Sequence, residues 1–297
     1  GGGGAPLCGH RTFAAETQGK CSGVARQCKK NKTNACDAAV IPLEPPFSFA
    51  SLRFGIATIL TLILVNQKIF TLTKHEINGG IFCGFFLFLG YAFQNFGLMH
   101  TTASKSAFIT SVSVLLVPFI LLFLRIQKIN PRTWIAVMVA TLGLYMLLTP
   151  EENKINLGDI ITFGCAVSFA LHIVIQDNYI KKKVRMLPFF FIQASFVTLF
   201  SIINAFFLDT QTIVWSNRLL IAILVTGIFA TFVAILIMIW AQQILSPSQT
   251  ALIFSLEPVF AAVFSWILIG EILGFWGWVG GVLVVIAVVW SESKSEN

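Results

Sequence analysis

The chain has 297 residues, of which 56% are hydrophobic and only 11% charged, and its mean hydropathy is +0.83. A water-soluble domain carries about 25% charged residues, so a soluble globular fold is excluded and an all-α integral membrane protein is expected. The formal charge of +7 does not point to a nucleic-acid partner, because the Lys and Arg residues lie in short stretches between apolar runs, as in cytoplasmic loops.

Residues 1–42 differ from the rest. They are polar, hold six Lys or Arg residues between Arg11 and Lys32, and contain no apolar run long enough to span a bilayer. Cys8, Cys21, Cys28 and Cys36 fall here without the C-x-x-C spacing of a zinc site. Asn31-Lys32-Thr33 matches a glycosylation sequon, a pattern that chance often produces. The segment is expected to be disordered or foreign to the fold.

Nine spans follow: Phe47–Asn66, Asn78–His100, Ser104–Ile126, Arg132–Thr149, Leu157–Asp177, Leu187–Leu208, Leu219–Ile244, Ser248–Ile269 and Ile272–Ser291. In lipid a backbone must satisfy its own polar groups, so each is expected to be a helix. Links as short as Thr101–Ala103 and Leu245–Pro247 force antiparallel neighbours. On one side of the spans lie Lys68, Lys74, Arg125, Lys128, Arg132, Lys181, Lys182, Lys183, Arg185 and Lys294, against Lys154 and Arg218 on the other. The first side is therefore expected in the cytoplasm, with the C-terminus and the tail 292–297.

The spans repeat. An offset of 144 residues carries Ser106-Ala107-Phe108-Ile109-Thr110-Ser111 onto Thr250-Ala251-Leu252-Ile253-Phe254-Ser255, Thr102 and Ser104 onto Ser246 and Ser248, and Trp134 onto Trp278. At 142, Pro46-Phe47 and Phe49 fall on Pro188-Phe189 and Phe191. The units implied are a first repeat of four spans over 43–149 and a second of five over 150–291. Residues 1–42 stand where a tenth span would balance the first.

The stretches PPFSFASLRF, TTASKSAFITSVSVLLVP, LSPSQTALIFSLEPVFAAVFSWILIGE and GWVGGVLVVIAVV resemble the EamA-type branch of the drug/metabolite transporter superfamily. The resemblance covers about Pro45 to Trp290. It implies ten helices in two repeats of inverted topology, the first helix here missing or replaced. It also implies a small solute, such as an amino acid or a drug, often moved outward.

Transporters built from inverted repeats bind substrate near the midplane, where the repeats meet. Glu257, followed by Pro258, is an acid near the middle of an apolar span. A carboxyl costs about 2.5–3.5 kcal/mol there, so it is seldom carried idly. It can bind a proton, pair with a cationic group on the substrate, or staple helices around the gap that Pro258 opens. Ser106, Thr110 and Ser113 share one helix face, Thr250 and Glu257 another, and the repeat superposes the two. Further cavity candidates are Gln94 and Asn95, His172 and Gln176, and Trp240 and Gln243; the plainer reading of each is a hydrogen bond between helices or an interfacial anchor. Arg53 and Lys105 read as side chains that snorkel to the headgroups; Lys105, at the outer mouth of the stripe headed by Ser106, could instead attract a substrate carboxylate. Cys83 and Cys165 read as small apolar residues within spans.

No H-E-x-x-H, Walker A or dinucleotide motif is present, so neither an enzyme nor a cofactor site is expected. The expected protein is a secondary transporter, an exporter of small metabolites by alternating access. It would sit in a bacterial inner membrane, with lipid and solute as partners and a proton as a possible coupling ion. The competing expectation is a membrane protein that does not transport and whose polar residues only hold helices together.

Overall fold

Backbone groups buried in lipid can bond only to one another, and all regular structure among the described residues is helical. The computed structural model describes residues 45–65, 71–127, 129–148, 155–209, 213, 215–269 and 274–292. The expectations for 1–42, Lys154 and the tail after Glu292 lie outside them. The helices are α1 (Pro46–Val65), α2 (Lys74–Leu98), α3 (Ala103–Ser111), α4 (Ser113–Phe123), α5 (Pro131–Leu148), α6 (Leu157–Ile180), α7 (Met186–Leu208), α8 (Asn217–Val225), α9 (Ala234–Ala241), α10 (Pro247–Phe254), α11 (Leu256–Ile269) and α12 (Phe275–Glu292). A π-helical stretch, Thr226–Val233, joins α8 to α9. The pairs α3/α4 and α10/α11 each make one broken span. Among the described residues eight spans reach 18 residues, and the apolar part of α12 is slightly shorter.

Local chemistry sets the helix starts. Thr73 with Glu76, Asn156 with Asp159, and Ser246 with Gln249 form capping boxes. Thr102 caps α3 as Ser246 caps α10, at positions related by the sequence repeat. The start of α1 takes its cap from a distant residue: Asp209, at the end of α7, accepts from Ser48 N at 2.7 Å and Ser48 Oγ at 2.6 Å.

Direction alternates from span to span, so Pro46, Thr102, Asn156 and Gly274 share a first end of the bundle, and Glu76, Arg185 and Ser246 a second. At the first end Lys105 Nζ lies 2.6 Å from Asp159 Oδ2, with both side chains buried. This corrects the snorkelling expectation for Lys105, because a buried counter-ion lies nearer than any headgroup. At the second end Arg185 Nε reaches Glu76 Oε1 at 2.6 Å.

Among the described residues three apolar clusters hold the bundle. One joins α1, α2, α7 and α9 through Phe54, Phe88, Phe189, Phe190 and Ile239. Another joins α4, α5, α10 and α12 through Val114, Ala140, Leu252 and Ala287. A third, with Val117, Leu121, Val174, Met238 and Ala251, joins α4, α6, α9 and α10. Helices α5 and α12 meet backbone to backbone: a Cβ on Gly280 would lie within van der Waals distance of both the Gly143 carbonyl and the Leu147 amide, and an added carbon has no room there. Phe123, Phe206, Phe207 and Phe229 point outward, as suits a lipid-facing surface.

Candidate functional site

Two helices are broken at corresponding points. Between α3 and α4, Ser111 Oγ donates to Ala107 O at 2.7 Å and Val112 is the junction. Between α10 and α11, Ser255 Oγ donates to Leu252 O at 2.5 Å, and Pro258 lacks the amide that would bond Phe254 O. Back-bonding hydroxyls bend helices, and the 144-residue offset relates Ser111 to Ser255. Just past each break stand Ser113 and Glu257, and both line a cavity of about 1540 Å³.

The cavity reaches Thr102, Ser104 and Gly274 at the first end of the bundle and runs inward to His172, Ile173 and Met238. Ile173 and Met238 belong to the third apolar cluster, whose other members continue toward the second end.

Of the residues expected to face solute, Gln94, Thr110, Ser113, His172 and Glu257 line this cavity. Thr110 Oγ1 is also 3.7 Å from Cys165 Sγ, and His172 Nε2 pairs with Gln193 Oε1 at 3.2 Å. Cys83 and Cys165 are free and buried. Asn95 is half-buried beside Gln94 but is not part of the lining. Ser106 and Thr250 are buried away from the cavity, and the Thr250 hydroxyl donates to Ser246 O at 3.1 Å. Gln176 Nε2 donates to Gln242 Oε1 at 2.9 Å, and Gln242 Nε2 to Ile173 O at 3.2 Å; this amide pair joins α6 to the end of α9. Trp240 and Gln243 are exposed and outside the lining.

The inward residue at the end of α9 is Gln242, next to the Gln243 that its spacing from Trp240 singled out.

Arg53 was assigned to the headgroups by sequence but lines the cavity. Its Nε donates to Thr231 Oγ1 at 3.0 Å and its Nη2 to the Tyr91 hydroxyl at 3.2 Å. Its guanidinium lies 4.9 Å from the Tyr91 ring centre, a cation–π distance. Thr231 is placed by the π-turn, where its hydroxyl donates to Thr226 O at 2.9 Å, five residues back. Gly227 lets α1 approach this stretch: a Cβ there would lie 3.1 Å from Arg53 O. Arg53 and Glu257 line the same cavity, yet among the described residues no ion pair joins them. Tyr91, Ser111 and Phe169 also line the cavity. Their signal in the sequence was weak, since aromatic and hydroxyl residues are ordinary in apolar helices.

Comparison with known proteins agrees with this architecture. A curated relative from Archaeoglobus fulgidus, described as an uncharacterized transporter, is 33% identical over 245 residues, covering 82% of this chain and 76% of the relative. A solved crystal structure superposes with a TM-score of 0.70 over 84% of this chain and 88% of its own, at 15% identity, a likeness that shows the shared fold. The profile of the EamA-like transporter family matches two stretches, residues 38–149 and 156–292. The chain is an integral membrane protein, and on that match it belongs to the EamA-like transporter family.

Proposed function

We propose that the protein is a secondary transporter that exports small metabolites, such as amino acids or drugs, by alternating access, and that the 1540 Å³ cavity is its solute site. The observation that carries this reading is the lining: Thr110 and Ser113 come from one broken helix, Glu257 from the other, and both breaks open on the same space. Unwound helices at a repeat interface are where such proteins hold solute. The units that would rock against each other are 43–149 and 150–291. Helices matched by the offset run in opposite directions, as inverted repeats require. Gln94, Thr110, Ser113, His172 and Glu257 would contact solute. Ser106, Gln176, Thr250 and Gln242 would instead support packing. The lysine-rich second end would face the cytoplasm of a bacterial inner membrane, with the C-terminus there. In the conformation seen, the cavity would then open outward. A proton carried by Glu257 is the proposed coupling ion.

The test is flux of amino acids and cationic drugs in proteoliposomes with and without a pH gradient. Uphill flux driven by the gradient supports the reading. Correctly folded protein that moves nothing, with or without a hydrophobic helix added ahead of Leu43, would leave the helix-stapling role in its place. The His172–Gln193 and Gln176–Gln242 bonds are what favour that second reading.

A further inference from the structure

We infer that Arg53 is the docking point for a carboxylate on the transported solute, and that the solute lies between Arg53 and Glu257 with that carboxylate toward the guanidinium. The inference rests on the solute-cavity reading above and adds a residue and a polarity to it.

An arginine in the wall of a membrane cavity is costly and needs a purpose. Snorkelling does not account for this one, because its guanidinium is turned to the interior and held there. Thr231 takes Nε and Tyr91 takes Nη2. Both partners are neutral, so the positive charge is positioned without being neutralised. A guanidinium has five N–H donors, and these two bonds leave others for the cavity that Arg53 lines. The holder is itself specialised: the π-turn places Thr231, and Gly227 admits α1 close enough for Arg53 to reach it.

The acidic residue in the same cavity lining is Glu257, and no ion pair joins it to Arg53. Two opposite charges that face a cavity without touching leave room for a molecule bearing the reverse pair. A planar, bidentate match to carboxylate is the usual reason for Arg in place of Lys. Helix α1 supplies the cation and α11 the anion, so a bridging solute would tie together one helix from each repeat.

The experiment is binding to purified wild-type protein in detergent, read by isothermal titration calorimetry, with three probes: L-leucine, L-leucinamide and N-acetyl-L-leucine. Leucine should bind about 10- to 100-fold more tightly than leucinamide, the range expected for one charge-assisted contact. Arg53→Gln should abolish that preference, and Arg53→Lys should restore part of it. Glu257→Gln should instead narrow the preference for leucine over N-acetyl-leucine. Equal binding of leucine and leucinamide to wild type would overturn the assignment, as would failure of all three to bind. The wild-type comparison does not depend on any variant folding. Selective binding without flux would refute the transport reading alone; flux with no preference for the carboxylate would refute this inference alone.

Discussion

Gly280→Ala tests how tightly the two closing helices of the bundle are held. A Cβ at Gly280 would sit 2.6 Å from the Leu147 amide nitrogen and 2.9 Å from Met146 Cβ, and nearer still to the Gly143 carbonyl, whereas ordinary contact begins at 3.4 Å. The closest obstacles are backbone, so no rotamer change relieves them. Helices α5 and α12 would have to separate by about 1 Å, and a gap of that size forfeits roughly a quarter to a half of the dispersion energy across the seam. Overpacking of this kind costs about 1–3 kcal/mol. The neighbouring residue is the control. At Gly281 a Cβ would meet Val259 Cγ1 at 3.6 Å and Leu147 Cδ1 at 3.9 Å, both ordinary contacts. Thermal unfolding in detergent, followed by intrinsic fluorescence, should show Gly280→Ala melting lower, by about 2–4 °C for each kcal/mol. Gly281→Ala should be unchanged or slightly more stable. Equal melting temperatures for the two variants would refute the close-approach argument.

Lys105→Ala leaves Asp159 buried without its cation and should destabilise by about 3 kcal/mol, the lower end for a broken buried pair, since Thr101 Oγ1 still donates to Asp159. The double variant Lys105→Met/Asp159→Asn should recover most of that loss in the same melting assay. Gln242→Leu removes the partner of a fully buried Gln176 and should cost about 1–3 kcal/mol; adding Gln176→Leu should return the protein close to wild type. Glu257→Gln keeps the side chain's size but cannot titrate, so flux in proteoliposomes should lose its dependence on pH while the protein stays folded. Unchanged pH dependence would remove the proton role and leave the cavity assignment standing.

The spans were legible because lipid leaves a chain so few options: each apolar run became a helix within a few residues of its expected ends. Repeat pairs such as Thr102 with Ser246, and Ser111 with Ser255, were legible because capping and back-bonding are local chemistry. Glu257 stood out because an acid in an apolar run is costly. What sequence could not deliver was rotation and partnership. Spacing from Trp240 singled out Gln243, whereas the buried amide that bonds Gln176 is its neighbour Gln242. Ser106 lay on the drawn stripe but is buried outside the cavity, although Thr110, one turn on in the same helix, lines it. Arg53 and Lys105 were indistinguishable from snorkelling residues until their partners, Thr231 and Asp159, were brought beside them from other spans.

The third apolar cluster has an electrical consequence. If water fills the cavity down to His172 and Met238, a voltage applied across the bilayer would fall mainly over the apolar packing that continues from Met238 through Val117, Leu121, Val174 and Ala251. A charge crossing the whole potential exchanges about 2.3 kcal/mol per 100 mV. Arg53 and Glu257 would both stand on the wet side, where little of that gradient reaches them. In the proposed alternating-access cycle that apolar layer would shift to the opposite end, the two would pass through the field together with opposite signs, and the unloaded protein would turn over with almost no net current.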